Sequence, residues 1–212
     1  MNQIRENLYQ FSLAIPPMNF TIHQYLLDVT YPMLVGTGTK DFAISILKEL
    51  KTILNNRDLA YIFVSHMESD ECGGLDLFLQ AYPNVSVICS TLCARELSGF
   101  GYRGKILPVK GGDRLNSEDF DLQIINYPAE VHLQNGIVAL EQHSGIFFSS
   151  DLLLSYGMAQ GCIKNVSWHD SVAKISKDRV PDEVAREALK SDLLKIHPSF
   201  AAVGHGYCLS LQ

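Results

Sequence analysis

The sequence predicts an α/β protein in which two sheets pack face to face between outer helices, a four-layer α/β/β/α sandwich. Apolar runs of strand length alternate with helical patterns over residues 38–99, which is typical of an α/β layer. Strand-like runs joined by short turns fill residues 105–150, which favours antiparallel pairing. A length of 212 residues suits one domain or two closely packed halves. No linker separates the halves, so we expect a single domain over residues 1–212.

The first half begins with three short strand-like segments, 8–15, 20–29 and 31–36, separated by Pro and Asn. The following segment is predicted to be a helix because Phe42, Ile46, Leu50, Ile53 and Leu54 fall on one helical face, and Asn55 and Asn56 mark its end. The apolar run LAYIFVS predicts a buried strand. A short helix, the strand VSVICS and a brief helix ending at Gly99 complete this half.

The second half contains four strand-like runs in close succession: KILPVK, DFDLQIINY, GIVALEQ and GIFFSS. The segment 181–197 predicts a helix with Pro181 in its first turn and an apolar stripe of Val184, Ala188 and Leu194. The run FAAVG predicts a last strand.

Charge and composition exclude several classes of function. The net charge of −6, from 17 basic and 23 acidic residues, argues against a nucleic-acid-binding protein. No apolar run is long enough to cross a bilayer and no signal pattern opens the chain, so we expect a cytoplasmic protein without a membrane partner. Five irregularly spaced cysteines favour free thiols over a disulfide framework.

Side chains that can bind a metal follow four of the predicted strands, in loops of the kind that commonly carry functional groups. Imidazole and carboxylate are competent ligands for first-row metals, and the set is large enough for two ions that share a carboxylate. His66, Glu68 and Asp70 alternate, so they would share one face of an extended segment. The candidate ligands are His66, Glu68, Asp70, Glu71, His132, Asp151 and His205.

Each of these pieces alone also has an ordinary structural interpretation. An HxExD pattern occurs in acidic surface loops, Asp151 would suit a helix N-cap or a turn, and His205 before a glycine would suit a turn. The ordered set is what indicates a metal site.

The ordered motifs HMESDE, PAEVHLQNG, FFSSD and VGHG resemble those of the metallo-β-lactamase superfamily. Their closer resemblance is to the diiron domain of flavodiiron proteins, whose pattern is HxExDH followed by His, Asp and His. The resemblance implies a metallo-β-lactamase-like sandwich. It also implies that His66, Glu68 and His132 hold one ion, that Asp70 and His205 hold the other, and that Asp151 bridges them.

Two positions depart from this pattern. Glu71 stands where the family has His, and it would either coordinate through oxygen or turn away and leave an open position. Gly36 stands where the superfamily often has a structural Asp.

The donor set predicts two metal ions, with iron favoured over zinc or manganese, because carboxylates replace histidines of the zinc hydrolases. Metal-bound histidines and carboxylates normally need hydrogen-bonding partners, and Tyr127, Tyr207 and His169 are candidates for that role.

The resemblance implies a diiron protein that binds or reduces a diatomic such as O₂ or NO. No phosphate loop for FMN is apparent in the chain, so a separate electron-donor protein, such as a flavoprotein or a rubredoxin-like partner, would supply electrons. The favoured interpretation is an enzyme, a diiron oxidoreductase, and a homodimer is compatible with the sequence. The alternatives are a metal-dependent hydrolase of an ester, lactone or thioester and a non-catalytic member that has lost its site.

Overall fold

Two seven-stranded sheets organise the chain in a computed structural model that describes residues 1–117, 120–129 and 135–212. The chain divides into two units by its internal contacts. The first unit comprises Met1–Leu13 and Ile22–Val109, and the second comprises Ala14–Thr21 and Lys110–Gln212. Within the described ranges, no helix combines the length and the apolar character that a membrane span requires.

The sheet of the first unit follows the order of the sequence from one edge to the other. The β1–β2 and β3–β4 pairs are antiparallel, whereas β4 to β7 are parallel. Parallel neighbours need crossover connections, and helices supply them here. The strands are β1 (Asn2–Arg5), β2 (Leu8–Ile15), β3 (Phe20–Leu27), β4 (Met33–Val35), β5 (Tyr61–Phe63), β6 (Ser86–Ser90) and β7 (Lys105–Val109).

Four helices connect the parallel strands of the first unit: α1 (Lys40–Leu54), α2 (Ser69–Cys72), α3 (Leu75–Ala81) and α4 (Thr91–Gly99). Helix α1 confirms the predicted helix. Its N-cap Thr39 accepts a hydrogen bond from the Phe42 amide, and Asn55 ends it in the left-handed conformation. Ala43, Ile46, Leu50 and Leu54 form its buried face, while Phe42 and Ile53 are partly buried against the same core.

The sheet of the second unit has the order β12-β14-β13-β11-β10-β9-β8. The strands from β8 to β11 pair antiparallel, as predicted for the runs DFDLQIINY, GIVALEQ and GIFFSS. The prediction is wrong for the run KILPVK, which forms β7 of the first sheet and pairs parallel with β6. Strand β13 joins β11 in parallel, and β14 lies between β12 and β13. The strands are β8 (Arg114–Asn116), β9 (Asp121–Tyr127), β10 (Gly136–Glu141), β11 (Ile146–Ser150), β12 (Ile163–Val166), β13 (Phe200–Val203) and β14 (Cys208–Leu211).

Helices α5 (Trp168–Ala173) and α6 (Glu183–Leu193) belong to the second unit. The predicted apolar stripe of α6 is wrong: Val184 is 81% exposed and Leu194 is 44% exposed. The helix buries Leu189 and Leu193 instead, with Ala185 partly buried one turn earlier. The indole Nε1 of Trp168 donates a hydrogen bond of 3.0 Å to the Leu193 carbonyl oxygen, which joins α5 to the end of α6.

Candidate metal centre

The first group of candidate ligands follows β5 in the first unit. His66 is 7% exposed, and its Nδ1 lies 2.9 Å from the Ser65 hydroxyl oxygen. Its Nε2 lies 3.5 Å from Glu68 Oε2. A serine hydroxyl can donate or accept, so this contact orients the ring without fixing which nitrogen carries the proton. The ring therefore presents Nε2 toward the Glu68 carboxylate.

Glu68 stands at the start of a single helical turn. It is the extended N-cap residue of α2, with φ −110° and ψ 156°, and Asp70 lies in the first turn of that helix. The expected alternation of His66, Glu68 and Asp70 along one extended segment is therefore wrong for Asp70. Carboxylates favour the positive end of a helix, which suits Asp70 and Glu71. Gln24 Nε2 holds this turn by donating 3.0 Å to the Asp70 carbonyl oxygen.

Glu71 is buried, with 6% of the residue exposed, and its carboxylate lies against the backbone of Gly36. A Cβ atom on Gly36 would sit 3.2 Å from Glu71 Oε2 and 3.1 Å from Gln24 Cγ. Gly36 has φ +71°, and the Thr37 amide donates 2.8 Å to the Glu71 carbonyl oxygen. The two positions that depart from the family pattern are therefore neighbours, and the missing side chain at 36 leaves room for the carboxylate of Glu71.

The electrostatics of this turn are visible at Cys72. Burial and, to a smaller extent, the negative charges of Glu71 and Asp70 together raise the pKa of the Cys72 thiol to about 12. The thiol hydrogen points to the Glu68 carbonyl oxygen at 3.2 Å. Cys72 is therefore a neutral thiol beside a group of carboxylates, an environment that favours a bound cation.

Asp151 and His205 meet within the second unit. Asp151 follows β11 and opens a short 3₁₀ turn, and His205 follows β13, the strand that pairs with β11 in parallel. His205 Nε2 lies 3.0 Å from Asp151 Oδ1. His205 is 4% exposed, and the Phe20 ring stacks on the imidazole with 4.5 Å between the ring centroids.

The partner of the other imidazole nitrogen defines the chemistry of this pair. His205 Nδ1 lies 3.1 Å from the Thr21 carbonyl oxygen, which only accepts hydrogen bonds, so Nδ1 carries a hydrogen. In the neutral imidazole, Nε2 then presents a lone pair to the Asp151 carboxylate. Two lone pairs at 3.0 Å repel unless a cation or a proton lies between them. A backbone carbonyl that fixes the ring in this way is typical of metal-binding histidines.

The donor atoms also have spacings that fit coordination to a metal. Ligand atoms bound to one first-row ion at about 2.0–2.2 Å lie about 3.0–3.5 Å from each other. The His205–Asp151 and His66–Glu68 pairs, at 3.0 and 3.5 Å, both fall in that range. Each unit therefore offers one imidazole–carboxylate pair that fits a metal ion.

The turn after His205 depends on glycine. Gly206 has φ +84°, and a Cβ atom there would lie 2.1 Å from the Ser155 carbonyl oxygen. The Ser155 amide donates 3.2 Å to the His205 carbonyl oxygen, and the Tyr207 amide donates 3.2 Å to the Ser155 hydroxyl. The loops that carry Asp151 and His205 are thus tied together directly behind these two candidate ligands.

The remaining candidates have different surroundings. His132 lies outside the described residues. Tyr127 is buried at the end of β9. The ring of Tyr207 makes a cation–π contact with the Lys164 ammonium. The His169 side chain is 77% exposed, with its Nδ1 3.9 Å from Asp170 Oδ1.

Two supporting contacts of the ligands escaped sequence reasoning. The Ser65 hydroxyl immediately precedes His66, and a serine beside a candidate ligand is a usable signal. The Thr21 carbonyl oxygen is 184 residues from its histidine and belongs to the backbone, so no sequence pattern reveals it.

The chain is similar in sequence to a family of beta lactamases and to diflavin flavoproteins. A model of the family described as "ODP family beta lactamase" matches residues 20–190. A putative diflavin flavoprotein A 2 from Nostoc sp. PCC 7120 is 27% identical over 142 residues, which cover 65% of this chain and 24% of the relative. The chain therefore spans about a quarter of the length of that relative.

Two solved structures share the fold. The flavodiiron protein from Giardia intestinalis has a TM-score of 0.79 at 14% identity, covering 97% of this chain and 54% of that one. The rubredoxin oxygen:oxidoreductase of Desulfovibrio gigas has a TM-score of 0.77 at 16% identity, covering 99% and 57%. These likenesses confirm the predicted metallo-β-lactamase-like α/β fold with two mixed sheets and helices.

Proposed function

The chain belongs to the ODP family of beta lactamases, and from that premise we propose that it holds two iron ions and binds or reduces O₂ or NO. The proposed ligands of the first ion are His66, Glu68 and His132, those of the second are Asp70 and His205, and Asp151 bridges the two. Glu71 is proposed as a further oxygen ligand. The similarity to a rubredoxin oxygen:oxidoreductase supports the choice of O₂ as a substrate.

The observation that carries this proposal is the arrangement of His205. Its Nδ1 hydrogen is committed to the Thr21 carbonyl oxygen, while its Nε2 faces Asp151 Oδ1 at 3.0 Å. Both donors are nearly withdrawn from water, with side-chain exposures of 5% and 19%. A buried imidazole whose hydrogen is on Nδ1 directs the lone pair of Nε2 toward the carboxylate, and this arrangement suits a bound cation.

The choice of iron follows from the oxygen donors. Glu68, Asp70, Glu71 and Asp151 give the proposed set four carboxylates, whereas a site for zinc is usually richer in nitrogen or sulfur donors. Carboxylate-rich sites favour harder ions such as iron and manganese. When bound, two ferrous ions supply the electrons and the open coordination positions that a diatomic substrate needs.

The residues of the chain orient and shield this chemistry. Phe20 covers one face of the His205 imidazole at 4.5 Å and limits the access of water to it. Ser65 and Thr21 hold the two imidazoles from their Nδ1 sides, so both Nε2 atoms keep a fixed direction. Fixed ligand directions reduce the reorganisation that accompanies a change of oxidation state.

The finer points belong to the same proposal. We propose that a separate protein donates the electrons and that residues 1–212 act as a single domain that binds no FMN. A cytoplasmic location and a homodimer are part of the proposal as well. We also propose that the metal-bound side chains receive hydrogen bonds from Tyr127, Tyr207 and His169.

Anaerobic purification with supplied iron tests the proposal through metal counting and absorption spectra before and after O₂ or NO is added. We expect two irons per chain and a near-ultraviolet band that changes with the gas. Asp151→Ala should lose at least one iron, whereas His197→Ala, a change at an exposed histidine outside the proposed set, should keep both. Equal metal content in the two variants would contradict the role of Asp151.

The same preparation separates the alternatives. Tight zinc, no response to O₂ or NO and turnover of an ester, lactone or thioester would establish the hydrolase instead. A chain that binds neither iron nor zinc would be a non-catalytic member.

A further inference from the structure

We propose that a pocket in the second unit binds a small organic anion, a molecule with one anionic head group and an apolar body. The cavity measures about 320 Å³, at the lower end of the range typical of small-molecule sites. Its lining includes three basic side chains and an apolar wall. The residues that carry the argument are Lys164, Lys174, Arg179, Ser155, Tyr207 and Ile175.

The charge of this pocket is unusual for the chain. Several other basic side chains of the second unit form ion pairs: Arg114 with Asp121, Lys190 with Glu187 and Lys195 with Asp192. Within residues 110–117, 120–129 and 135–212, no carboxylate forms an ion pair with any of the three basic side chains of the pocket. In a chain with 23 acidic residues against 17 basic ones, this unpaired cluster points to an external anion.

Arg179 is the centre of the argument because it is half-buried. A guanidinium that is partly withdrawn from water loses hydration, and an ion pair or several hydrogen bonds normally compensate for the loss. Among the described residues, the hydrogen bonds of Arg179 are limited to its backbone amide, which donates to the Ser176 carbonyl oxygen. The planar fork of donors therefore remains available for a carboxylate or a phosphate.

The other groups place the anion and its body. The Lys164 ammonium lies 3.5 Å from the centroid of the Tyr207 ring, which holds this flexible side chain on the wall of the pocket. Ser155 accepts a hydrogen bond from the Tyr207 amide, so its hydroxyl hydrogen is left to donate. The neighbouring acidic side chain of Asp178 lies with its Oδ2 3.4 Å from the Ser176 hydroxyl.

The apolar wall decides between a free inorganic anion and an organic one. Ile175 and Leu152 are buried, and Leu154, Val166 and Leu209 are partly buried in the same lining. An inorganic anion would contact the basic side chains and leave this apolar surface to water. A ligand with an apolar body covers both, so the pocket favours an organic anion.

The lining of the pocket contains none of the proposed metal ligands, although it shares loops with two of them. Leu152 follows Asp151 in the chain and Tyr207 lies two residues after His205, so the loops that line the pocket also carry those two ligands. The binding of an organic anion is measurable on the protein whatever its metal content.

Calorimetric titration with phenyl phosphate and with benzoate tests the proposal, in 150 mM NaCl so that diffuse attraction is screened. We expect saturable binding of one molecule per chain for at least one probe, and weaker binding of inorganic phosphate. Arg179→Ala should weaken binding at least tenfold, as expected for the loss of a hydrogen bond between charged groups. Arg179→Lys should recover part of this loss.

Lys177→Ala is the matched control, since it removes one positive charge from an exposed neighbour outside the lining and should change the affinity less than twofold. If Arg179→Ala does not fold, Lys164→Ala, at an exposed residue of β12, provides the same comparison. The proposal is overturned if neither probe binds, or if the control weakens binding as much as the pocket variants. Inorganic phosphate binding as tightly as both organic probes would also overturn it.

Discussion

Replacement of Gly36 by alanine tests how closely the backbone at the end of β4 is matched to Glu71. Gly36 has φ +71°, and an added Cβ would lie 3.1 Å from Gln24 Cγ and 3.2 Å from Glu71 Oε2. Both contacts are tighter than ordinary van der Waals separations, so the carboxylate of Glu71 or the side chain of Gln24 must move. The variant therefore perturbs the neighbourhood of a proposed ligand without removing any donor.

The magnitude follows from three terms. An alanine in the left-handed region costs about 1–2 kcal/mol, and restriction of the unfolded chain returns about 0.4–1 kcal/mol. Crowding in a packed interior adds about 1–3 kcal/mol. Gly36→Ala should therefore lower the free energy of unfolding by about 3 kcal/mol, within a range of about 1–5 kcal/mol.

The chain offers a matched control in Gly101. Its φ is +92°, and no atom lies within 4 Å of where its Cβ would be, so Gly101→Ala carries the backbone term alone. We expect a loss of about 1 kcal/mol there in urea unfolding followed by far-ultraviolet circular dichroism. Combining Gly36→Ala with Glu71→Ala should recover part of the crowding cost. Equal losses for Gly36→Ala and Gly101→Ala would refute the proposed match between Gly36 and Glu71.

Three further predictions concern buried polar groups. Glu141 is 2% exposed, and its carboxylate accepts hydrogen bonds from the amides of Asp121, His143 and Ser144 and from the Ser144 hydroxyl. Glu141→Gln should therefore lower the free energy of unfolding by about 2–4 kcal/mol. Ser144→Ala removes only the hydrogen bond of the hydroxyl and should lower the free energy of unfolding, measured in urea, by about 1 kcal/mol. An equally small loss for Glu141→Gln would contradict the role of the carboxylate. Burial raises the pKa of Tyr102 to about 12, so the folded state keeps the phenol proton to a higher pH than the unfolded state does. The free energy of unfolding should therefore fall by about 1–2 kcal/mol as the pH rises from about 10 to 12. Unfolding measured across that range should show a smaller decline in Tyr102→Phe, and an unchanged decline would count against this assignment. Trp168→Phe should lower the free energy of unfolding by about 1–3 kcal/mol, because it removes the hydrogen bond to the Leu193 carbonyl oxygen and part of a buried ring. A thermal unfolding midpoint equal to that of the parent would contradict this stabilising role of the indole.

Sequence periodicity predicted the long elements well where one face is strongly apolar. Helix α1 has a capping threonine, a regular buried face and an asparagine at its end, and all three signals agree. Helix α6 lacks such a clear set of sequence signals. Its apolar residues are sparse, so two stripes one position apart look alike in sequence, and only packing shows that Leu189 and Leu193 are the buried ones.

Short elements escaped prediction for a related reason. Strands β8, β12 and β14 have three or four residues each, and β12 is mostly exposed, so they carry little alternation. The single turn of α2 begins at Ser69, inside the motif that had been expected to be extended. The ligand types followed from the residues, whereas the positions of Asp70 and Glu71 depended on a turn of helix too short to leave a periodic signal.

The placement of β14 between β12 and β13 has a consequence for how the protein matures. During synthesis β12 emerges before the partner it pairs with, and His205 emerges long after the Thr21 carbonyl oxygen that orients it. The nascent chain therefore cannot assemble the His205–Asp151 pair until the region around β14 has left the ribosome. The proposed metal ions would then be acquired after translation from the cellular pool. The supply of metal at that moment, together with the donor set, would decide which ion enters the proposed site.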